Sequence, residues 1–587
     1  MLDYINEGIM LDDRILIEKL ALLNAIKYGG KANPKSIIGS AIKANPEFKK
    51  KIKELQQMIQ EIVEKVNSMS LEEQKKRLLE IDPNALEEQQ KKKDEKKELP
   101  PLPEADKYDK IVLRLAPYPS GPLHIGNSRM VVLNDYYAKR YKGELYLVFD
   151  DTIGSETKLI DPEAYDMIPE GLEYLGVKWH KTYYKSDRLD IFYKYARDTL
   201  EKGETYVCTC DGKEWREKYK MQKKACPCRD LSIEENLERW EKMLDGTYPE
   251  RGAVVRLKTD MAHPDPALRD PVMLRISEKE HPRVGTKYRV WPLLEFSWGI
   301  DDHEFGISHI IRGKDLRKEG IIENMIWDIY GWKKPQIILY GRMRIKDLSL
   351  SKSKSAEKVR TGEYQGWSDP RTWSLQSLKR RGIKPEAIRQ ALLDIGLSAV
   401  DVTFSPEQIY SINRALIDPV ANRYFMVHDP VELKIIGAPE DIVESHPPIH
   451  PDFPERGTRT IPLFRENADL FINIQRRDAE KLQGKIVRLK DLMNIELKSF
   501  SNGKGEAKYH SRTIDDARKH NARIIQWVPR KSAEPVKILM VDGTYEDGIA
   551  EPDIRNVKVG DIIQFERFAF CKVEKIEDTI EFIWTHR

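Results

Sequence analysis

The chain has 587 residues, 33% of them charged, with a net charge of +3. That length allows several domains with real cores, and no apolar stretch is long enough to span a bilayer. Five cysteines exclude a disulfide scaffold, and the N-terminus MLDYINEGIMLDDR lacks the basic-then-apolar layout of a secretion signal, so a cytoplasmic location is expected.

Residues 1–104 read as a helical extension that ends in a charged linker. Leu16, Leu20, Leu22, Leu23 and Ile26 recur at helical spacing, as do Ile52, Leu55, Met58, Ile59, Ile62 and Val63. From Glu87 to Leu99 the run EEQQKKKDEKKEL has no apolar periodicity, and Pro-Pro-Leu-Pro follows. Two readings stand for this region: a docked extension without chemistry, or an appendage that binds RNA or a protein partner.

A strand-like run, Ile111 to Leu115, and a helix-like run, Val131 to Tyr141, flank Pro117, Tyr118, Pro119, Ser120, Gly121, Pro122, Leu123, His124, Ile125, Gly126 and Asn127. The prolines fix a turn, and the glycines let backbone or ligand come close. A helix opening at His124 to Asn127 points free N–H groups and a positive dipole end at a phosphate-bearing ligand. The next strand, Glu144 to Phe149, ends in Asp150-Asp151-Thr152, where a parallel α/β sheet lines its ligand crevice. Acids there suit an ammonium group or a ribose.

Cys208-Thr209-Cys210 and Cys226-Pro227-Cys228 form two close pairs across a short loop. Four thiolates suit a tetrahedral zinc ion or an iron–sulfur cluster; buried free thiols are the other reading. An apolar strand, Ile307 to Ile311, delivers Arg312 to the crevice, either for bidentate carboxylate recognition or for a structural salt bridge. With Arg114 arriving from the first strand, two guanidinium groups would converge on one acidic substrate. Lys379-Arg380-Arg381 suits RNA phosphate or a solvated basic patch. From residue 426 short alternating strands dominate, with Val431–Ile436, Lys485–Leu489, Arg523–Val528, Ile562–Phe568 and Ile580–Trp584 as examples, and β-barrels fit.

The stretch Arg114 to Arg129, RLAPYPSGPLHIGNSR, resembles the HIGH signature of the class I aminoacyl-tRNA synthetases, in the form found in the glutamyl and glutaminyl branch. Asn127 stands for the signature's last His. Ser349-Leu350-Ser351-Lys352-Ser353 resembles the KMSKS signature, with Ser349 and Leu350 in place of Lys and Met. Between them, Asp150-Asp151-Thr152, Tyr184, Ser186, Asp187, Arg188, Ile300-Asp301-Asp302-His303 and His309-Ile310-Ile311-Arg312-Gly313 are similar to family segments. The resemblance runs in order from about residue 108 to the end. The β-rich C-terminal region is similar to the archaeal and eukaryotic members. One segment departs: Leu294 and Glu295 stand where the archaeal glutamyl form has Tyr and Asn. Either the amino-acid pocket is rebuilt or its preference differs.

The resemblance implies a multidomain chain with an α/β Rossmann-like class I catalytic domain. Its expected first half is 105–205, followed by a zinc-bearing acceptor-end insertion at 206–290. The second half with the KMSKS-like loop is 291–360, a helical connecting region is 361–425, and β-barrel anticodon-binding domains are 426–587. It implies ATP-dependent activation of glutamate and transfer to the 2′-OH of the terminal adenosine of a glutamate-accepting tRNA, with the glutamine-accepting tRNA left open. His124 and Asn127 would hold ATP phosphates, with Mg2+, and Lys352 the departing pyrophosphate. Arg114 and Arg312 would hold the amino acid, with Asp150 at its ammonium. Zn2+ would be structural. A glutaminyl enzyme and a non-catalytic tRNA-binding paralogue are the alternatives.

Overall fold

The computed structural model describes residues 11–27, 30–85, 98–153, 159–346, 352–501 and 503–587. The chain divides into two compact units, Met1–Glu98 and Leu99–Arg587.

The smaller unit is helical. It comprises α1 (Leu11–Lys27), α2 (Pro34–Ala44), α3 (Ile52–Ser68) and α4 (Leu71–Ile81). The apolar repeat buries Ile17, Ala21, Leu22, Leu55, Ile59 and Val63 in one core. Ser70 and Glu73 form a capping box that starts α4, satisfying two orphan backbone donors. Buried Gln74, in the same first turn, ties the end of α3 to the turn after α1 by donating to the Val66 carbonyl at 2.8 Å and the Gly30 carbonyl at 3.0 Å.

The larger unit begins with a parallel sheet. Strands β1 (Val112–Leu115), β2 (Glu144–Phe149) and β3 (Lys181–Tyr184) pair in that order, all parallel. Helix α5 (Ile125–Arg140) makes the β1–β2 crossover; α6 (Ala164–Tyr174) precedes β3 and α7 (Leu189–Glu201) follows it. Strands β1 and β2 are buried, mostly apolar runs covered on both faces, while β3, Lys-Thr-Tyr-Tyr, is the more exposed edge strand. Leu99 and Leu102 belong to this core, so residues 99–104, expected in the linker, are part of the larger unit.

An antiparallel sheet follows: β4 (Thr205–Cys208), β5 (Val254–Leu257), β6 (Val272–Ile276) and β7 (Val290–Pro292), with α8 (Ile233–Leu244) inserted after β4. The chain then returns through α9 (Leu294–Glu304) to β8 (His309–Gly313), α10 (Arg317–Tyr330) and β9 (Gln336–Tyr340), with β8 and β9 parallel. Ser308 stitches β8 beside β1: its N–H donates to the Val112 carbonyl at 3.0 Å, and its hydroxyl oxygen accepts from the Val112 N–H at 2.9 Å. The strand order is therefore β3-β2-β1-β8-β9, doubly wound, with a ligand crevice expected beyond the strand C-termini.

The C-terminal region is β-rich. An eight-stranded sheet includes Pro430–Ile436, Asp469–Gln475, Asn494–Ser501 and Lys504–Ser511, and a seven-stranded sheet includes Glu534–Leu539, Ala569–Ile576 and Ile580–His586. The second sheet also takes Arg423–Tyr424 and Met426–His428, so the chain enters it, leaves to build the other, and returns. Along Asp469–Gln475 burial alternates residue by residue, the period of a strand with one face packed.

Candidate active site

The opening loop is held from both sides. The Asp150 N–H donates to the Pro117 carbonyl at 3.1 Å and the Asp161 N–H to the Pro119 carbonyl at 2.8 Å. Gly121 sits at φ +125°, and a Cβ there would lie 2.6 Å from Trp367 Cζ2. Leu123 and Ile125 bracket a clamp with the Trp373–Leu375 segment: Ile125 N–H donates to the Trp373 carbonyl at 3.2 Å, and Leu375 N–H to the Leu123 carbonyl at 2.9 Å. Ser120, Tyr118 and Pro122 complete the loop, and burial beside Asp150 and Asp151 pushes the Tyr118 hydroxyl up to about 12.

His124 is the N-cap of α5. Its Nδ1 accepts from the Gly126 N–H at 2.9 Å, and Asn127 Oδ1 faces the His124 N–H at 3.5 Å. The Asn127 and Ser128 N–H groups both point to the His124 carbonyl. This corrects the expectation of free amides: the first-turn donors already have partners. The dipole end and the His124 and Asn127 side chains are what the helix start offers a phosphate.

At the ends of the neighbouring strands the structure brings the expected amino-acid readers into one buried charge cluster, each with an internal partner. Arg114, on β1, binds both carboxylate oxygens of Asp302, with the Nη2 contact at 2.8 Å, and lies 3.5 Å over the Trp298 ring. Arg312, on β8, binds Glu323 of α10 through two bonds of 2.7 and 2.8 Å. Asp150 meets Lys185 Nζ at 2.8 Å. Arg188 donates to Asp301 at 2.7 Å, and burial, opposed by Arg188 and Lys185, pushes the Asp301 carboxyl up to about 6. Asp151, beside Asp150, is fully buried and accepts from the Ser186 N–H, the Ser186 hydroxyl and the Tyr165 hydroxyl at 2.7–2.9 Å. Its task is to hold the strand ends together.

Asp302, Trp298 and Lys185 belong to this charge cluster, and sequence reasoning did not single them out. Lys185 is placed by strand register. Phe149 pairs with Tyr184 in parallel register, so Asp150 and Lys185, the next residues, emerge side by side.

Of the KMSKS-like loop, Ser349, Leu350 and Ser351 lie outside the described residues. Lys352 and Ser353 open a helix, Lys352–Arg360.

The four cysteine sulfurs lie within 4.8 Å of one another. Cys208 and Cys226 are 3.9 Å apart, as are Cys210 and Cys228. A tetrahedral ion with Zn–S bonds of about 2.3 Å separates its ligands by about 3.8 Å, so the set fits zinc. Arg239 Nη1 donates to Cys228 Sγ at 3.3 Å and the Thr209 hydroxyl lies 3.8 Å from it, the outer contacts a thiolate site uses. Beside the cysteines opens a cavity of about 440 Å³ whose lining includes Lys213, Arg251, Arg256, Arg275 and Lys279.

The basic triplet divides. Lys379 is exposed and meets Glu170 at 3.0 Å. Arg380 is half-buried and donates from Nε and Nη2 to the two carboxylate oxygens of Glu574. Arg381 is fully buried and donates to the Tyr410 hydroxyl and the Thr585 carbonyl. This corrects its reading as an RNA contact: the guanidinium is enclosed by aromatic rings and backbone and has no surface to offer a phosphate.

The family model for the tRNA synthetases class I (E and Q) catalytic domain matches residues 110–419. Two anti-codon binding domain models of the same class match 421–515 and 524–574. The chain is 45% identical over 576 residues to the glutamate–tRNA ligase of Pyrococcus abyssi, covering 97% of this chain and 99% of the relative. It is 45% identical over 578 residues to that of Pyrococcus furiosus, with the same two coverages. With that of Thermococcus kodakarensis it shares 42% over 582 residues, covering 98% of this chain and 100% of the relative.

Proposed function

The chain belongs to the class I tRNA synthetases of the E and Q type, and from that premise we propose that it is a glutamate–tRNA ligase. In the first step a glutamate carboxylate oxygen attacks the α-phosphorus of ATP, forming glutamyl-adenylate and releasing pyrophosphate. In the second, the 2′-OH of the terminal adenosine attacks the activated carbonyl and AMP leaves.

The observation that carries this reading is the near-full-length match to relatives named glutamate–tRNA ligase. The crevice chemistry is consistent with it. His124 and Asn127 stand at the head of α5 to hold ATP phosphates, which enter with Mg2+, and Lys352 follows the departing pyrophosphate. Arg114 and Arg312 receive the substrate's carboxylate groups, exchanging or sharing them with Asp302 and Glu323, and Asp150 faces its ammonium. Such a site works by positioning and charge and needs no side chain as a covalent nucleophile.

The cysteine set holds a structural zinc, whose four ligands leave no open position for catalysis. The basic cavity beside it and exposed Lys379 contribute positive charge along the RNA path. The C-terminal β-sheets, as barrels, receive the anticodon. The helical N-terminal unit is an accessory without chemistry, and the enzyme works in the cytoplasm.

Pyrophosphate exchange run with tRNA present tests the reading. Exchange with glutamate is expected. Exchange with glutamine alone would make the chain a glutaminyl enzyme, the alternative that Leu294 and Glu295 leave open, and exchange with neither would make it a binding paralogue.

A further inference from the structure

Arg129 stands two residues past Asn127 on α5, about 200° round the helix from it, so the two side chains leave opposite faces. Arg129 is fully buried. Its Nη1 donates to the Gly341 carbonyl at 2.6 Å and its Nη2 to the Gly396 carbonyl at 3.0 Å, with Cζ 4.9 Å from the centre of the Tyr340 ring. Three segments far apart in sequence meet on this one guanidinium: the second turn of α5, the residue that follows β9, and the turn after the helix Pro385–Asp394. A guanidinium is a rigid planar fork. Bonds from its two ends fix the spacing of the two carbonyls and the place of α5 against both.

The chain after β9 is laced to the segment that follows Gly396. The Gly341 N–H donates to the Ser398 carbonyl at 2.7 Å, and the Arg342 N–H to Asp401 Oδ1 at 2.7 Å. Met343–Ile345 then pairs in parallel with Val402–Phe404, and the Lys346 N–H donates to the Phe404 carbonyl at 2.8 Å. A Cβ on Gly341 would collide with the Val400 carbonyl oxygen, so the two backbones touch there. Lys352 follows Lys346 by six residues. On its other side α5 has a separate tie: Asn134 Nδ2 donates to the carbonyl of Ile311, the residue before Arg312, at 3.2 Å. The helix that carries His124 and Asn127 is held to the Arg312 strand by Asn134, and to the chain leading to Lys352 by Arg129.

We propose that Arg129 is a positioning residue for adenylate formation: its fork sets the head of α5 against the laced segment 341–346, so that the two phosphate-handling parts of the ATP site keep one register. The proposal rests on the reading of this crevice as the active site of a glutamate–tRNA ligase, with His124 and Asn127 on the ATP phosphates and Lys352 on the pyrophosphate. Arg129 acts through the Gly341 and Gly396 carbonyls, on which both of its terminal nitrogens are spent. Its effect falls on the phosphate side of the reaction, because Asn134 holds the amino-acid side independently.

The test is pyrophosphate exchange with glutamate and tRNA on the full chain, comparing wild type with Arg129→Gln and Arg129→Lys. Arg129→Gln is expected to lower kcat roughly 10–100-fold and to raise the ATP KM, since small displacements of positioning groups are costly. The glutamate KM stays within about twofold of wild type, as the tie through Asn134 is untouched. Arg129→Lys keeps the charge without the fork and is expected to recover part of the loss, leaving kcat roughly 3–10-fold down. Hydrogen exchange reads the register directly: ATP with Mg2+ should protect the amides of 341–346 in wild type and leave them unprotected in Arg129→Gln. A merely structural arginine would raise both KM values together and lower thermal stability in step. That pattern, wild-type kinetics in Arg129→Gln, or no difference between the two proteins in segment 341–346 overturns the proposal. Should Arg129→Gln fail to fold, Arg129→Lys decides: a lowered kcat with the glutamate KM unmoved supports the register, and wild-type kinetics overturns it. Wild type that exchanges with no amino acid would sink the underlying reading instead.

Discussion

The Arg381 guanidinium donates to the Thr585 carbonyl at 3.0 Å, and the Thr585 hydroxyl donates back to the Arg381 carbonyl at 2.6 Å. This reciprocal pair ties the end of the helix Leu375–Arg380 to the last strand, Ile580–His586. The guanidinium lies 4.9–5.7 Å from the rings of Trp373, Trp584 and Tyr410. Arg381→Ala would leave the Thr585 carbonyl unpaired and open a void among those rings. A loss of about 2–4 kcal/mol is expected in denaturant unfolding. Lys379→Ala, by contrast, breaks an exposed ion pair and is expected to change stability by less than about 1 kcal/mol. It should weaken tRNA binding and reduce the slope of log affinity against log salt by about one. An unchanged slope would remove Lys379 from the RNA surface.

The same seam is sensitive to pH through His586. Its Nε2 accepts from Asn413 Nδ2 at 3.0 Å, while Nδ1 donates to the Arg587 carbonyl at 2.9 Å. The ring is therefore neutral in the folded state, and burial holds its pKa down to about 4 from 6.5. Because the folded value is the lower one, the unfolded chain takes up the proton first as pH falls. Stability is lost between about 6.5 and about 4 and is fully present above that window. The contribution is on the order of 3 kcal/mol. Protonation would also turn the Asn413 contact into donor against donor. His586→Gln is expected to flatten the unfolding midpoint between pH 6.5 and 4; a slope that survives the substitution would assign it elsewhere.

The glycines of the opening loop give a third prediction. A Cβ on Gly126 would lie 2.7 Å from His124 Cε1 and 2.9 Å from its Nδ1, forcing the imidazole out of its cap. Gly126→Ala is expected to lower glutamate-dependent exchange roughly 10–100-fold, mainly through the ATP KM and kcat, since small displacements of positioning groups are costly. Gly121→Ala would meet Trp367 in a backbone conformation that L residues avoid, and should cost both activity and thermal stability. Wild-type kinetics in Gly126→Ala would show that the cap geometry is immaterial to ATP.

These cases mark how far the sequence could be read. The opening loop was legible because its determinants are local: prolines, glycines and a helix start within a dozen residues. Strands β1, β2 and β8 and the alternating C-terminal strands were legible from their apolar patterns, whereas β3, Lys-Thr-Tyr-Tyr, carries no such pattern. The pairing of charges was not. Arg114 meets Asp302 across 188 residues of sequence, and although Asp302 lies in a recognised segment, nothing local says which cation it faces. Arg381 misled for the opposite reason, since three consecutive basic residues look like a surface patch. A helix end turns one out, half-buries the next and encloses the third. Lys185 fell between matched residues, and only the register of β2 and β3 sets it beside Asp150.

The cysteine set yields the last prediction. Cys208 and Cys226 are almost wholly buried, in a small core with Tyr206 and Trp215. Four thiols packed at ion-binding distances without an ion would leave their weak polarity unused in the interior of a short insertion. With zinc they become the element that fixes β4 to the Pro227–Asp230 turn. Metal analysis of purified protein should therefore find about one zinc per chain. Cys226→Ser should lose it, because three remaining thiolates bind more weakly and binding free energy here is folding free energy. Cobalt exchanged into the site should give the ligand-field absorption of a tetrahedral thiolate complex. The variant should melt in the insertion first, detected as early loss of hydrogen-exchange protection in β4 and β5, while α5 and the parallel sheet keep theirs. Protein that contains neither zinc nor iron, and whose insertion is indifferent to Cys226→Ser, would make the four thiols a packing cluster and nothing more.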